Sequence, residues 1–572
     1  MAKKPEGGRY PNIVLILTDD QGWGDLSRTG NRNLSTPRID GLAGDGAAFD
    51  SFYVQPLCAP TRAEVLTGRY FPRTGVRGVT RRAECLNLDE VTIGDVFRTA
   101  GYATGCFGKW HSGSAYPYHP NGRGFDEFFG FCCGHWSHYF DSTLERNGTE
   151  LKSTGYIVDA LTEEAMAFME NNRNRPFLCY VPFNTPHSPF QVPDRWYAKF
   201  ADGELAMRHR DPDKERQEVT RSVLAMCENI DWNVGRLVDK AAELGLAEDT
   251  IFIYLSDNGP NGWRWNGGMR GRKGSTNEGG VRSPCSITWP GRIDAGLQVR
   301  QIAGAIDLLP TLADLADVHE MGPKPLDGVS LKPLLTGAGG AWPDRPVYAQ
   351  SAKGDTTGIR TQQYRAGGHM CGLYDMTADI GQDRDLSKQE QATYERLLEQ
   401  IEAWRADVLP GEPAERPIPT GYKEFPITQL AAQDGLPSGD ITWSSIHPNA
   451  SFFIDWHNID DAIRWELDVE NGGRYEATLM YSCPDSDVGA EVELACEGNR
   501  LRGKIEEAFD PPLKDKDDRV KRNESYEKEF KPLVLGELGL GKGRCDLHLR
   551  ALSKPGECVM DLRAVRLRLL AT

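Results

Sequence analysis

The chain has 572 residues, 39% of them hydrophobic and 26% charged, with a formal net charge of -17 at pH 7. That length favours two to four domains of roughly 100–200 residues each, and the composition is that of a globular protein able to bury a sizeable core. The acidic balance argues against bulk nucleic-acid binding, and it means that an anionic substrate must be drawn in by a local basic pocket.

The N-terminal MAKKPEGGRYPNIVLILTDDQ has a basic lead and an apolar run too short for a signal peptide or a membrane span. It reads as a first strand, and the chain as written reads as cytoplasmic, with no membrane partner. A removed export signal, which would make the protein periplasmic or secreted, would leave no trace. Four apolar runs, NIVLILTDD, YATGCFGKWH, FLCYVPFNTPH and TIFIYLSDNG, stop at polar clusters. Helical patterns lie between them at IGDVFRTA (93–100), DALTEEAMAFMENN (159–172) and VLAMCENIDWNVGRLVDKAAELG (223–245). Apolar strands alternating with helices predict an α/β fold over residues 1–335, a central, mostly parallel sheet flanked by helices on both faces. Ligands sit just beyond the carboxyl ends of the strands in such sheets.

In residues 336–408 the short strands RPVYAQS, GIRTQQYRA and CGLYDM precede an amphipathic helix, QEQATYERLLEQIEAWRADV, predicting a small antiparallel sheet with one helix. LPGEPAERPIPTGYKEFP opens a proline-rich linker over 409–429. From 430 to 572 the alternating runs ASFFIDWHN, AIRWELDV, RYEATLMYS, AEVELACEG, RCDLHLRAL and VMDLRAVRLRLL predict an antiparallel β-sandwich. Its charge run, LKDKDDRVKRNESYEKEFK (513–531), reads as a solvated loop. The 13 cysteines show neither paired nor zinc-binding spacing, so mostly reduced thiols are expected.

Each of the four strands ends in chemistry. Asp19 and Asp20 follow the first, and Asp257 and Asn258 follow the last. Either pair alone is ordinary turn or cap chemistry. Together they bring hard oxygen donors to one sheet edge, a set suited to calcium or magnesium rather than zinc. Lys109 and His111 end the second strand, two apart and so on one side of an extended segment. His187 stands between two prolines in NTPHSP, and Lys273 lies in the glycine-rich basic loop MRGRKGSTNEGGVR, a kind that cradles anions. The plain alternatives are a solvated lysine, a hydrogen-bonded loop histidine, a rigid turn and a flexible surface loop.

Cys58, in PLCAPTRAEVLTGRY, stands out in this company. Free cysteines most often pack as small hydrophobes. This one precedes a predicted helix whose N-terminal amides attract anions, and Arg62, one turn on, offers a bidentate oxyanion clamp. A soft thiolate matches a hard-cation site poorly. The surroundings ask for an oxygen nucleophile, and the gene encodes sulfur.

CAPTR matches Cys-x-Pro-x-Arg, the signature that type I sulfatases present for oxidation of the cysteine to Cα-formylglycine. TGRYFPRTGV, GKWHSG, NTPHSPFQVP, SDNGP, GRKGSTNEGGVRSP, AIDLLPTLADLADV and CGLYDMTADIGQDRDL also resemble sulfatase segments, in the family's order, over about residues 10–408. The resemblance implies the alkaline-phosphatase-like fold and a formylglycine-generating enzyme as maturation partner. It implies calcium, with magnesium as the alternative, on Asp19, Asp20, Asp257, Asn258 and the modified Cys58. Arg62 would steady formylglycine and the sulfate, and Lys109 and Lys273 would bind sulfate oxygens. One hydroxyl of the hydrated aldehyde would attack sulfur while His187, helped by Lys273, protonates the departing alcohol. His111 would then deprotonate the other hydroxyl, expelling sulfate and restoring the aldehyde. Thr61, where serine is frequent, and Ser112, where leucine is common, leave the signature's anchors intact.

Near the expected pocket, GRGFDEFFGFCCGHWSHYF and WRWNGGMRGRK offer His135, Trp136, His138, Trp263 and Trp265 to stack on sugar rings. Arg264 and Arg270 suit further sulfate or carboxylate groups, with ordinary packing as the competing reading. The sandwich is similar in strand pattern to galactose-binding-like modules. The expected substrate is therefore a sulfated carbohydrate, with an aryl sulfate as surrogate. Two alternatives stay open: a formylglycine-dependent phosphonate or phosphate ester hydrolase, and a carbohydrate-binding protein with an inactive hydrolase domain.

Overall fold

Asn12–Thr18 (β1) is buried throughout, with Val14 and Ile16 in one apolar cluster and Ile13, Leu15 and Leu17 in another. Strand alternation produces that division when both faces of a sheet are covered. In this computed structural model, which describes residues 10–571 apart from 338–341, 353, 410 and 412–414, β1 lies inside a 10-stranded sheet. The remaining strands are Ala47–Phe49 (β2), Ala103–Lys109 (β3), Glu127–Phe131 (β4), Thr143–Arg146 (β5) and Thr149–Lys152 (β6). Phe177–Pro182 (β7), Thr250–Ser256 (β8), Cys285–Thr288 (β9) and Leu297–Val299 (β10) complete it. Their spatial order is β10-β2-β9-β8-β1-β7-β3-β4-β5-β6. Because β8, β1, β7, β3 and β4 run parallel, the residues that follow β1, β3, β7 and β8 emerge at one edge.

The covering helices are Pro37–Gly44 (α1), Cys58–Thr67 (α2), Ile93–Thr99 (α3), Ile157–Asn171 (α4), Gln217–Glu243 (α5) and Leu308–Leu315 (α6). α1, α4 and α5 pack on one face, and α2, α3 and α6 on the other. The architecture is thus the expected α/β one, a mostly parallel sheet between helical layers. No described helix is long and apolar enough to cross a membrane, and all 13 cysteines are free.

A four-stranded antiparallel sheet follows, Val347–Gln350, Thr357–Arg360, Tyr364–Gly367 and Gly372–Asp375, with the helix Gln391–Val408 (α7) packing Leu397 and Ile401 on it. GIRTQQYRA, expected as one strand, is a hairpin of two, closed around the polar Gln362 and Gln363 by the Thr361 N–H donating to the Tyr364 carbonyl and the Tyr364 N–H donating to Thr361 Oγ1.

C-terminally, two six-stranded sheets share one apolar core containing Trp456, Trp465, Tyr475 and Leu547. Six strands here escaped the sequence pattern, two of them the two-residue Leu436–Pro437 and Thr442–Trp443. Ile418–Thr420 lies in the expected linker and Ile427–Ala431 straddles its end, yet they pair with Ala462–Val469 and Asp561–Leu569. Asn499–Lys504 is a largely exposed edge strand with little apolar alternation, and Lys531–Leu540 is an edge strand whose apolar alternation is broken by a register shift near Gly536.

The largest departure is the charge run 513–531. Val520 joins the apolar cluster around α4 and α5, and Arg522 and Ser525 are buried. Asp518 accepts from Gln191 Nε2 at 2.7 Å, Asp517 lies 2.9 Å from His138 Nε2, and Arg522 donates to the Ser137 carbonyl. The segment is a strap from the sandwich onto the loops that follow β4 and β7. Asp517, Asp518, Arg519, Arg522 and Glu524 bond across the seam, while Asp515, Lys516 and Lys521 stay exposed.

At the crossing of β3 and β4, a Cβ on Gly130 would stand 2.0 Å from the Gly108 carbonyl oxygen, at φ 157°. Gly130→Ala is expected to destabilise the protein by roughly 2–4 kcal/mol, from backbone overlap and a disfavoured φ. A thermal melt that matched the parent's would contradict this account of the crossing.

Candidate active site

α2 starts at Cys58, and every residue of it is buried, Arg62 included. A guanidinium cannot shed its proton there, so it needs acceptors on all sides. Arg62 Nη2 and Nε donate to Asp257 Oδ2 at 2.8 and 3.1 Å, and Nη1 donates to the Lys109 carbonyl at 2.8 Å. This one side chain therefore ties α2 to the ends of β3 and β8. Lys109 Nζ donates to Asp19 Oδ2 at 2.6 Å, and Lys273 Nζ lies 2.6 Å from Asp20 Oδ1. Asn258 Nδ2 donates to Asp20 Oδ1 at 2.8 Å. Three buried carboxylates, Asp19, Asp20 and Asp257, thus face three cations, Arg62, Lys109 and Lys273.

The balance is not a closed one. Asp19 Oδ1, Asp20 Oδ2 and Asn258 Oδ1 are buried with no hydrogen-bond donor. Leaving such an oxygen unsatisfied costs about 1–3 kcal/mol. Ligand atoms of Asp19, Cys58 and Asp257 lie within 4.8 Å of one another, as do those of Asp19, Asp20 and His187. Hard oxygens lacking donors are what a divalent cation such as calcium or magnesium binds, so the residues fit one. Its charge on a neutralised cluster would leave the pocket positive and attractive to an anion within an acidic protein.

Burial pushes the Asp257 carboxyl up to about 6, with Asp19 adding to the rise and Arg62 opposing it. Burial likewise raises Asp19 against the pull of Lys109. For Asp20 burial is outweighed by Lys273 and His187, and the group stays well below the usual carboxylate range. Burial, then Lys109, holds His111 well below the ordinary imidazole value. Burial and Lys273 lower His187, while Asp20 draws it back up.

The histidines are held by their far nitrogens. His111 Nε2 lies 2.9 Å from the Val79 carbonyl, so it carries the hydrogen, and Nδ1 is left buried without a partner. His111 has φ 59°, so the chain has already left the extended path at this residue and strand alternation does not direct its side chain. His187 Nδ1 donates to the Ser188 carbonyl at 2.7 Å, which turns Nε2 toward Asp20 Oδ2 at 3.6 Å. His135 stacks on His187 with ring centroids 5.9 Å apart.

Several residues nominated from sequence for sugar contacts are committed elsewhere. Arg264 is buried, its Nε 2.8 Å from Asp25 Oδ1 and its Nη2 2.9 Å from the Asp20 carbonyl. It braces the left-handed turn at Asp20 (φ 69°) instead of facing a ligand. Arg270 pairs with Asp383 at 2.9 Å, and His138 with Asp517. The Trp263 ring is flanked by Arg272 and Lys214 at 5.0 and 5.3 Å, while Trp265 packs on Gly24 and Gly30. Trp136 stacks on Phe131 and lines a cavity of about 460 Å³ at the seam with the sandwich. Sequence reasoning missed Val79, Ser188, Asn449 and Glu524. Asn449 Nδ2 donates to the Val79 carbonyl at 3.0 Å, and Ser188 Oγ to Glu524. Only Ser188 lay inside a recognisable motif.

Residues 11–318 match the family model described as Sulfatase. The chain belongs to the sulfatase family. N-acetylgalactosamine-6-sulfatase of Canis lupus familiaris is 31% identical over 393 residues, which span 62% of this chain and 71% of that protein. Arylsulfatase A of Homo sapiens is 33% identical over 402 residues, 63% of this chain and 75% of that one. Among solved structures, Ps i-CgsB in complex with k-i-k-neocarrahexaose is 31% identical, with a TM-score of 0.63 over 70% of this chain and 94% of its own. The phosphonate monoester hydrolase of Agrobacterium radiobacter shares the fold, at 20% identity and a TM-score of 0.54 over 70% of this chain and 96% of its own. As a sulfatase the chain is a sulfuric ester hydrolase of alkaline-phosphatase-like fold.

Arg62→Leu is expected to cost roughly 3–5 kcal/mol in cation-free buffer by stranding Asp257. Without Arg62 the Asp257 carboxyl would rise above its parental value of about 6. The deficit should thus be small in acid, where both proteins hold that proton, and grow as pH rises through about 6, where only the parent releases it. Unfolding curves at pH 5 and pH 8 check the sign.

Proposed function

We propose that this sulfatase hydrolyses a sulfate monoester of a saccharide by S–O cleavage, using formylglycine derived from Cys58 together with a bound calcium ion. The observation that carries the reading is the position of Cys58: a buried thiol at the start of α2, grouped with Asp19 and Asp257 and one turn from Arg62. Three orphaned oxygens beside it call for a hard cation, next to which sulfur is the wrong element for a nucleophile. When present, the hydrated aldehyde supplies an oxygen nucleophile and the cation neutralises charge on it and on the sulfuryl group.

The chain's own residues do the rest. Asp19, Asp20, Asp257 and Asn258 would hold the cation, releasing Lys109 Nζ and Lys273 Nζ to bind sulfate oxygens. Arg62 remains anchored on Asp257 and orients the residue at position 58. His187, held through Nδ1, presents Nε2 to protonate the leaving alcohol oxygen, with Lys273 beside it. His111, its Nε2 fixed on Val79, offers the free Nδ1 lone pair to take the proton whose loss lets sulfate depart. Preorganised charges aimed at the sulfuryl oxygens would supply the largest share of the rate. A saccharide substrate is supported by the relatives, one named for an N-acetylgalactosamine sulfate and one crystallised with a neocarrahexaose. His135, stacked on His187, and Trp136 remain the candidates for sugar contact.

The test is turnover of 4-nitrophenyl sulfate against its phosphate and phosphonate analogues, on protein whose Cys58 peptide mass shows conversion. Preference for the sulfate is expected, and preference for a phosphonate would move the assignment to the alternative hydrolase. Cys58→Ala should lose at least about 10³-fold in kcat, on the scale of losing a catalytic nucleophile. Near-parental activity in that variant would defeat the mechanism. Chelation should abolish turnover and lower the melting temperature, and calcium should restore both, by RT ln(1 + [L]/Kd) for the stability.

A further inference from the structure

The strap from the sandwich ends in a contact with the loop that carries His187. Ser188 Oγ donates its one hydrogen to Glu524 Oε1, although 336 residues separate the two. Burial would lift the Glu524 carboxyl, but Ser188 and His187 hold it below the usual range, so it acts as an acceptor only. The Ser188 hydroxyl also lies 3.4 Å from His187 Nδ1, within reach of a competing hydrogen bond. With its hydrogen committed to Glu524, that hydroxyl cannot donate to the ring. His187 Nδ1 keeps its own hydrogen and gives it to the Ser188 carbonyl at 2.7 Å.

The consequence is chemical. A histidine that delivers a proton from Nε2 must keep a hydrogen on Nδ1 throughout, so that Nε2 alternates between protonated and bare. Were Ser188 to donate to Nδ1, the neutral ring would carry its hydrogen on Nε2 and become a very weak acid there. The group that fixes a catalytic imidazole's tautomer is commonly an acceptor placed behind it, and it acts without touching the substrate.

We propose that Glu524 is a positioning residue for His187: by taking the Ser188 hydrogen, the C-terminal sandwich selects the imidazole tautomer able to protonate the departing alcohol. The inference rests on His187 acting as that acid. It also gives the sandwich a part in the reaction itself, beyond any affinity for glycans. Gln191 Nε2 on Asp518 at 2.7 Å, and the Tyr139 hydroxyl 2.9 Å from the Ser188 carbonyl, keep the loop in register for this contact.

The experiment measures kcat and KM of full-length, Cys58-converted protein on substituted phenyl sulfates whose phenols range from strongly to weakly acidic. A poor leaving group needs the proton most, so Glu524→Ala should steepen the fall of kcat with leaving-group pKa. The loss should reach roughly 10- to 100-fold at the weak-acid end, with little change for 4-nitrophenyl sulfate and KM within about twofold. Glu524→Gln, which still accepts from Ser188, should keep a slope close to the parent's. Adding Ser188→Ala to E524A removes the competing donor and should restore most of the lost rate. Should the alanine variant not fold, Glu524→Asp, which draws the acceptor back by one methylene, should steepen the slope in the same sense. A uniform loss across the series, an unchanged slope, or no recovery in the double variant would overturn the inference. A converted parent that cleaved none of the esters would instead sink the sulfatase reading, and this inference with it.

Discussion

Arg62 is the constraint on which the rest of the site depends. Buried in α2, it satisfies its guanidinium on Asp257 and on the Lys109 carbonyl, and so fixes the separation of a helix and two strand ends. Removing water from that pair makes the contact all-or-none: with both partners it locks the sheet edge, and with one missing it strands a charge. Cys58 starts the same helix. The position of the reactive side chain is therefore set by an ion pair one turn away.

Around that lock the site keeps deliberate imbalance. Three carboxylates meet three cations, yet three oxygens still lack donors and one carboxyl is pushed up to about 6. A cluster that satisfied itself fully would have no use for a cation or an anionic substrate. Lys109 and Lys273 lie on Asp19 and Asp20, and a divalent ion competing for those oxygens would turn both ammonium groups toward an incoming sulfate. The same electrostatics explain how a chain of net charge -17 can attract an anion at one point of its surface.

The loops after β4 and β7 lean on the C-terminal sandwich. Arg522, Asp517, Asp518 and Glu524 each bond to them, and Asn449 shares the Val79 carbonyl with His111. Loops otherwise sample many conformations. Here the His187 loop is braced from outside the α/β sheet, and so is the Val79 carbonyl that holds the far nitrogen of His111. A module that looks like an appendage in sequence therefore forms part of the wall behind the site.

The central layers were legible from local pattern, because a strand buried on both faces must be apolar throughout and a covering helix must show its 3.6-residue period. Asp19, Asp20, Asp257 and Asn258 could be placed at one edge for the same reason: parallel strands deliver their ends together. Legibility failed where the signal is not local. Arg264 looks like a free cation until Asp25 is found beneath it, and the charge run 513–531 looks solvated until its partners appear more than 300 residues away. Exposed edge strands such as Asn499–Lys504 lack an apolar face to betray them. Sequence by itself determined the α/β layering and the residue types gathered at the sheet edge, which follow from periodicity and spacing, and it pointed to the family through the resemblance of its ordered motifs. Only the tertiary structure decided which nitrogen of each histidine is free and which charges are already spent. Those properties belong to pairs of groups that the chain brings together solely by folding.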